Sequence, residues 1–115
     1  MRVVIADDSE KIRFVMRGWI KILGHDLVGE AEDGREAVAI CEQHKPDLAL
    51  LDMSMGEHAG DVAARRIIAD KLAKYVIIAT SLASVKSRLE AEGIPCLIKP
   101  IHAGTLANKI KQITE

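Results

Sequence analysis

Two cysteines, Cys41 and Cys96, are too few and too isolated to make a disulfide framework. No apolar run approaches the length needed to cross a bilayer. No signal peptide precedes the first expected strand, which begins almost at Met1. These absences point to a cytoplasmic, reducing compartment, with each thiol free and acting as a small buried hydrophobe. An excess of one charge is missing too: 16 Lys and Arg stand against 17 Asp and Glu, a formal net charge of −1. With no basic stripe, direct nucleic-acid binding by this segment has no electrostatic basis. Linkers, repeats and low-complexity tracts are lacking as well. With 49% hydrophobic residues, 115 residues suffice for one domain with one core, expected to span residues 1–115. That composition excludes disorder.

What the chain does have is a set of short apolar runs, each ending abruptly in a polar residue. VVIA (3–6) runs into Asp7 and Asp8, LALL (48–51) into Asp52, VIIA (76–79) into Thr80, and CLI (96–98) into Lys99. Such runs, rich in Val and Ile and separated by helix-like stretches, read as buried strands of a parallel sheet. A shorter strand is expected around Leu27 to Ala31. Between the strands, Ile12, Val15, Met16, Trp19, Ile22 and Leu23 recur at helical spacing and stop at Gly24. Ala37, Val38, Ile40 and Cys41 mark a second helix closed before Pro46. Val62, Ala63, Ile67 and Ile68 mark a third, Ser84 to Glu92 a short charged fourth, and Leu106, Ile110 and Ile113 a last one. The reading is an α/β fold of five βα units, (βα)5, with right-handed crossovers.

In an open α/β sheet the functional crevice lies outside the carboxyl ends of the strands. One site would therefore gather Asp7, Asp8, Asp52, Thr80 and Lys99. Two carboxylates about 4 Å apart repel by about 4 kcal/mol at an effective dielectric of 20, so this cluster calls for a compensating cation. A hard divalent ion such as Mg²⁺ suits oxygen ligands of this kind. Lys99 supplies a compact charge able to pair with Asp52 or with a phosphoryl oxygen. Thr80 can donate to the same oxygens. Asp52 is then the natural nucleophile, because carboxylates accept phosphoryl groups as acyl phosphates.

Each residue also has an ordinary structural reading. Asp8 or Ser9 can serve as the cap of the first helix, and Asp33 and Asp47 read as turn residues. His25, His44 and His102 are scattered, look solvated and show no metal-ligand spacing. His58 is a candidate to overhang the site, without an assigned role. Trp19 reads as core, and Arg13 and Arg17 as exposed helix charges. The functional reading rests on four strands delivering suitable groups to one edge.

The ordered set Asp7-Asp8, Asp52 with Met55 and Gly60 after it, Thr80, and Lys99-Pro100 resembles the receiver domains of two-component response regulators, over essentially the whole chain. The resemblance implies a doubly wound, flavodoxin-like five-stranded parallel sheet of order 2-1-3-4-5. It implies a phosphoryl group accepted on Asp52 from a phosphohistidine or a small acyl phosphate. Mg²⁺ (or Mn²⁺) would sit on Asp8, Asp52 and the backbone carbonyl of Ser54, with Asp7 acting through water. Lys99 and Thr80 would complete the chemistry, and the Lys99-Pro100 bond would be cis. Thr80 would report the modification, while Ser54 and Leu82 would tune its lifetime. Such a protein is a switch rather than an enzyme, catalysing only its own phosphorylation and dephosphorylation. Its implied partners are a sensor histidine kinase or phosphotransfer protein and an unidentified output partner or effector domain; a homodimer is compatible.

Some positions depart from the family pattern. Cys96 stands where an aromatic is usual, Gly56 replaces a common proline in the loop that also holds Glu57 and His58, and the segment from Thr80 to Lys99 is short. The fourth helix is therefore expected to be truncated or loose. Rival classes fit less well. A nucleotide or flavin domain needs a phosphate cradle after its first strand, where Asp7-Asp8 repels phosphate. An Asp-nucleophile phosphatase would space two Asp residues by one position. The alternative that the residues leave open is a receiver-like interaction module not regulated by phosphorylation.

Overall fold

Every apolar run becomes a strand in the computed structural model, which describes residues 1–56 and 59–115. The order is β1 (Arg2–Ala6), α1 (Glu10–Ile22), β2 (Asp26–Ala31), α2 (Gly34–His44), β3 (Leu48–Asp52), α3 (Gly60–Ala69), β4 (Tyr75–Thr80), α4 (Ala83–Ala91), β5 (Cys96–Ile98) and α5 (Ala103–Thr114). All pairings are parallel and the sheet order is β2-β1-β3-β4-β5, as the resemblance implies.

Alternation along the strands divides the core into two layers. Val4, Ala6, Ala49, Leu51 and Ile78 face α2, α3 and α4, packing with Ala37, Cys41, Ala64, Ile67 and Leu89. Val3, Ile5, Leu48, Leu50 and Ile77 face α1 and α5, packing with Met16, Ile20, Leu106 and Ile110. Because both faces are covered, the strands read as continuous rather than alternating apolar runs. Both cysteines are free and buried; burial pushes the Cys41 thiol up to about 11 and raises that of Cys96. Trp19 packs half-buried against the second layer.

The first two helices begin where short polar side chains cap them. Ser9 accepts from the Ile12 N–H and Asp33 from the Glu36 N–H, and such a cap contributes about 1 kcal/mol. Ser9 rather than Asp8 is thus the cap of α1, and Asp33 is a helix cap. Asp47 takes the Arg2 N–H at 2.8 Å.

All five helices form over the expected segments, and the structure shows which of their faces pack. Ile12, Val15 and Ile22 of α1, and Val62 and Ile68 of α3, are exposed. The faces that pack are narrower than the apolar stripes, because α1 and α3 each meet the sheet on one side only. Arg13 is buried, not exposed. His25 and His44 are half-buried rather than solvated, and His25 Nδ1 lies 3.0 Å from the Met1 amine. The fourth helix is short, at 9 residues, and buries Leu89 alone. Glu57 and His58 lie outside the described residues, and so does the reading of His58 over the site.

Candidate functional site

The carboxyl ends of β1 and β3 lie side by side, so residues just past them converge. Asp7 follows the last residue of β1, and its N–H donates to the Ala31 carbonyl at 3.1 Å, continuing the ladder one step beyond the strand. Its carboxylate accepts the Ser9 N–H at 2.9 Å, which turns the chain into α1. Asp52 is the last residue of β3 and is 4% exposed. Asp8, released from capping by Ser9, is exposed. Carboxylate oxygens of Asp7, Asp8 and Asp52 all lie within 4.8 Å of one another.

Electrostatics follow from that crowding. Burial holds the Asp7 carboxyl above its ordinary range, and the neighbouring Asp52 charge adds to the rise, while the Ser9 N–H opposes it. Lys99 Nζ forms an ion pair with Asp52 Oδ1. Three carboxylates against one ammonium leave a formal deficit of two positive charges. An all-oxygen donor set with that deficit fits one hard divalent cation, and fits a thiol- or imidazole-loving metal poorly.

Lys99 is also tied down through its backbone, whose N–H donates to the Thr80 carbonyl at 2.8 Å. The Lys99-Pro100 peptide is cis, as expected. Thr80 is buried at the end of β4, and its Oγ1 accepts the Leu82 N–H at 3.2 Å. Ser54 lies exposed in the loop after β3. Gly56 in that loop has φ +64, a conformation natural to glycine.

The structure brings Asp7, Asp8, Asp52 and Lys99 into one cluster, with Thr80 tied to Lys99 through the backbone. Two further residues shape the cluster and are not singled out by sequence reasoning for that role. Gly60 opens α3 directly against Asp52, and its N–H donates to the Met53 carbonyl at 2.9 Å. A glycine at the start of a helix, where a cap is usual, is the only local signal. Arg13 reaches the Asp7 carbonyl at 2.7 Å. Beside Asp7 and Lys99 an apolar groove of about 480 Å³ is lined by Ile12, Val15, Trp19 and Ile101. Among the described residues no helix is long and apolar enough to cross a membrane.

Comparison with known proteins gives the same fold. The response regulator receiver domain model matches residues 3–111. The transcriptional regulatory protein PdtaR of Mycobacterium tuberculosis is 34% identical over 113 residues, covering 96% of this chain and 55% of that protein. The chain thus spans about half the length of PdtaR. The chemotaxis protein CheY of Thermotoga maritima is 28% identical over 117 residues, covering 99% of this chain and 98% of that protein. In structure, the response regulator domain of Thermotoga maritima CheB superposes with a TM-score of 0.86 at 30% identity, over 97% of this chain and 94% of that one. Receiver domains are signalling modules of two-component systems. With the family model matching nearly end to end, the chain belongs to the response regulator receiver domain family.

Proposed function

We propose that residues 1–115 form a receiver that accepts a phosphoryl group on Asp52 and signals through it. The observation that supports this reading most is the convergence of Asp7, Asp8 and Asp52 within 4.8 Å, with Lys99 paired to the middle strand's carboxylate. Asp52 Oδ attacks the phosphorus of a phosphohistidine or small acyl phosphate. A P–O bond to Asp52 forms, the P–N or P–O bond to the donor breaks, and the donor leaves with the electron pair. Lys99 gives up its pairing with Asp52 to a phosphoryl oxygen, so its positive charge stays with the growing negative charge. The Thr80 hydroxyl donates to another of these oxygens, exchanging its present role as acceptor of the Leu82 N–H.

Asp7, Asp8, Asp52 and the Ser54 carbonyl would hold Mg²⁺ or Mn²⁺, whose chemistry is to neutralise the transferring group. The donor would be a histidine kinase or phosphotransfer protein, and the receiver would act in the cytoplasm on an output partner or attached effector. A shift of Thr80 and of the segment to Leu82 biases a two-state equilibrium rather than catalysing a further reaction. Incubation with acetyl phosphate and Mg²⁺ should add one phosphate mass to the intact chain, and Asp52→Asn should abolish the gain. A gain undiminished in that variant would move the chemistry elsewhere.

A further inference from the structure

Arg13 lies on α1 at a position where an exposed charge is the default, yet it is 7% exposed. Its Nη1 donates to the Asp7 carbonyl at 2.7 Å and its Nη2 to Glu10 Oε2 at 2.5 Å. Its Nε lies 3.4 Å from Glu30, and its Nη2 lies 3.7 Å from Glu32. Arg17 closes the ring at 2.6 Å from both Glu10 and Glu30. The guanidinium is thereby gripped from α1, from β2 and from the residue after β2. Turning away from Asp7 would break its charge-assisted bond to Glu10 and draw it off the Glu30 and Glu32 carboxylates.

The Asp7 carbonyl belongs to the peptide that joins the two adjacent carboxylates. The N–H of Asp7 is fixed on Ala31 and its side chain on Ser9. Arg13 takes the carbonyl, and so sets the plane of the Asp7-Asp8 peptide and the direction from which Asp8 leaves it. A guanidinium does this with separate N–H groups for a carbonyl and a carboxylate; an ammonium is a single point charge and lacks that fork. We propose that Arg13 is the positioning residue of the acidic pair, presenting Asp7 and Asp8 to the divalent cation without touching it. This rests on the reading of the acidic cluster as cation-holding.

Charge alone argues for the opposite effect. A cation beside the cluster repels a divalent ion, so neutralising Arg13 would tighten Mg²⁺ binding if through-space charge were its whole contribution. Positioning requires the affinity to fall, as it does when outer residues that orient ligands are removed. The test is calorimetric titration of the full chain with Mg²⁺ for wild type, Arg13→Gln and Arg13→Lys. Exchange of the Ser9 amide, held on the Asp7 carboxylate, is followed by NMR in the absence of metal.

Wild type should bind. Arg13→Gln should bind about tenfold more weakly, and Arg13→Lys should fall between the two. The Ser9 amide, which donates to the Asp7 carboxylate, should exchange faster in both variants, while amides of β1 and β3 keep their protection. Should Arg13→Gln not fold, the lysine variant alone decides, by the same two readouts. Affinity equal to or tighter than wild type, or an unchanged Ser9 amide, overturns the proposal and leaves the cluster's reading intact. A wild-type chain that takes up no Mg²⁺ overturns the reading of the cluster, and this inference falls with it.

Discussion

A methyl group placed on Gly60 would lie 2.2 Å from the Asp52 carbonyl oxygen, 2.9 Å from the carbonyl carbon and 3.0 Å from the Met53 Cα. These are backbone atoms and cannot swing aside, so α3 and the end of β3 would have to separate. Gly60→Ala should cost about 2–3 kcal/mol, as overpacking in a tight interior does, read as a lower urea midpoint. It should also slow phosphorylation of Asp52, because the strand end that aims the carboxylate moves. A Gly60→Ala chain with wild-type midpoint and rate would show that the contact is not rigid. The residues of the cluster itself were legible in sequence because each interrupts an apolar run. Arg13 was not, since its burial depends on Glu10 of its own helix and on Glu30 and Glu32 near the end of β2. No spacing rule links those positions. Gly60 was visible as a glycine, but a contact with Asp52 belongs to the packing of α3 on β3.

Among the elements, α4 is held differently from its neighbours. It buries Leu89 alone, whereas α3 buries Gly60, Asp61, Ala63, Ala64 and Ile67. Charged side chains supply much of its remaining attachment. Arg65 of α3 grips Glu92 at 2.9 and 3.1 Å, and Glu90 sits between Lys109 of α5 and Lys86. Lys109, then Lys86, hold the Glu90 carboxyl below its ordinary 4.5, and Arg65 does the same for Glu92. A carboxyl lowered by folding stabilises the fold above its ordinary value and loses that contribution as pH falls through the lowered one. These groups are largely solvated, so the effect is small and screened by salt. Amides of α4 should exchange faster than those of α3 at neutral pH. The Glu90→Gln, Glu92→Gln double variant should widen that difference and melt below wild type at pH 7, the gap closing as pH falls below 4.5. Equal protection of α3 and α4 would show that Leu89 suffices.

Four of the strands were readable because sheet burial on both faces leaves one signal, an unbroken apolar run, whereas their order in the sheet came from the family resemblance. Helix faces were less readable. Periodicity places Val15 and Ile22 on an apolar stripe, but only the packed neighbour decides how wide a stripe is covered, and both are exposed.

At the scale of the whole molecule, the cluster is a store of unfavourable charge in the metal-free chain. Ionised Asp7 is penalised by burial and by Asp52 together. A divalent cation that binds the folded chain and not the unfolded one stabilises it by mass action, about 2.7 kcal/mol at a free concentration a hundred times the dissociation constant. The melting temperature should therefore climb with Mg²⁺, and the climb should flatten in Asp8→Asn. A melting temperature indifferent to Mg²⁺ in the wild type would detach the acidic cluster from metal altogether.

The two outermost strands carry one more consequence. Sheet edges present open backbone to which another chain can add. Here β5 has 3 residues, and Pro95 and Pro100 flank it with positions that have no N–H to offer. At the opposite border, β2 sets Asp26 and Glu30 along its length and meets β1 through a register shift at Val3/Val4. Neither border offers a long, flat, uncharged template. The sheet is finished at both ends, which guards a crowded solution of these molecules against growing into fibres.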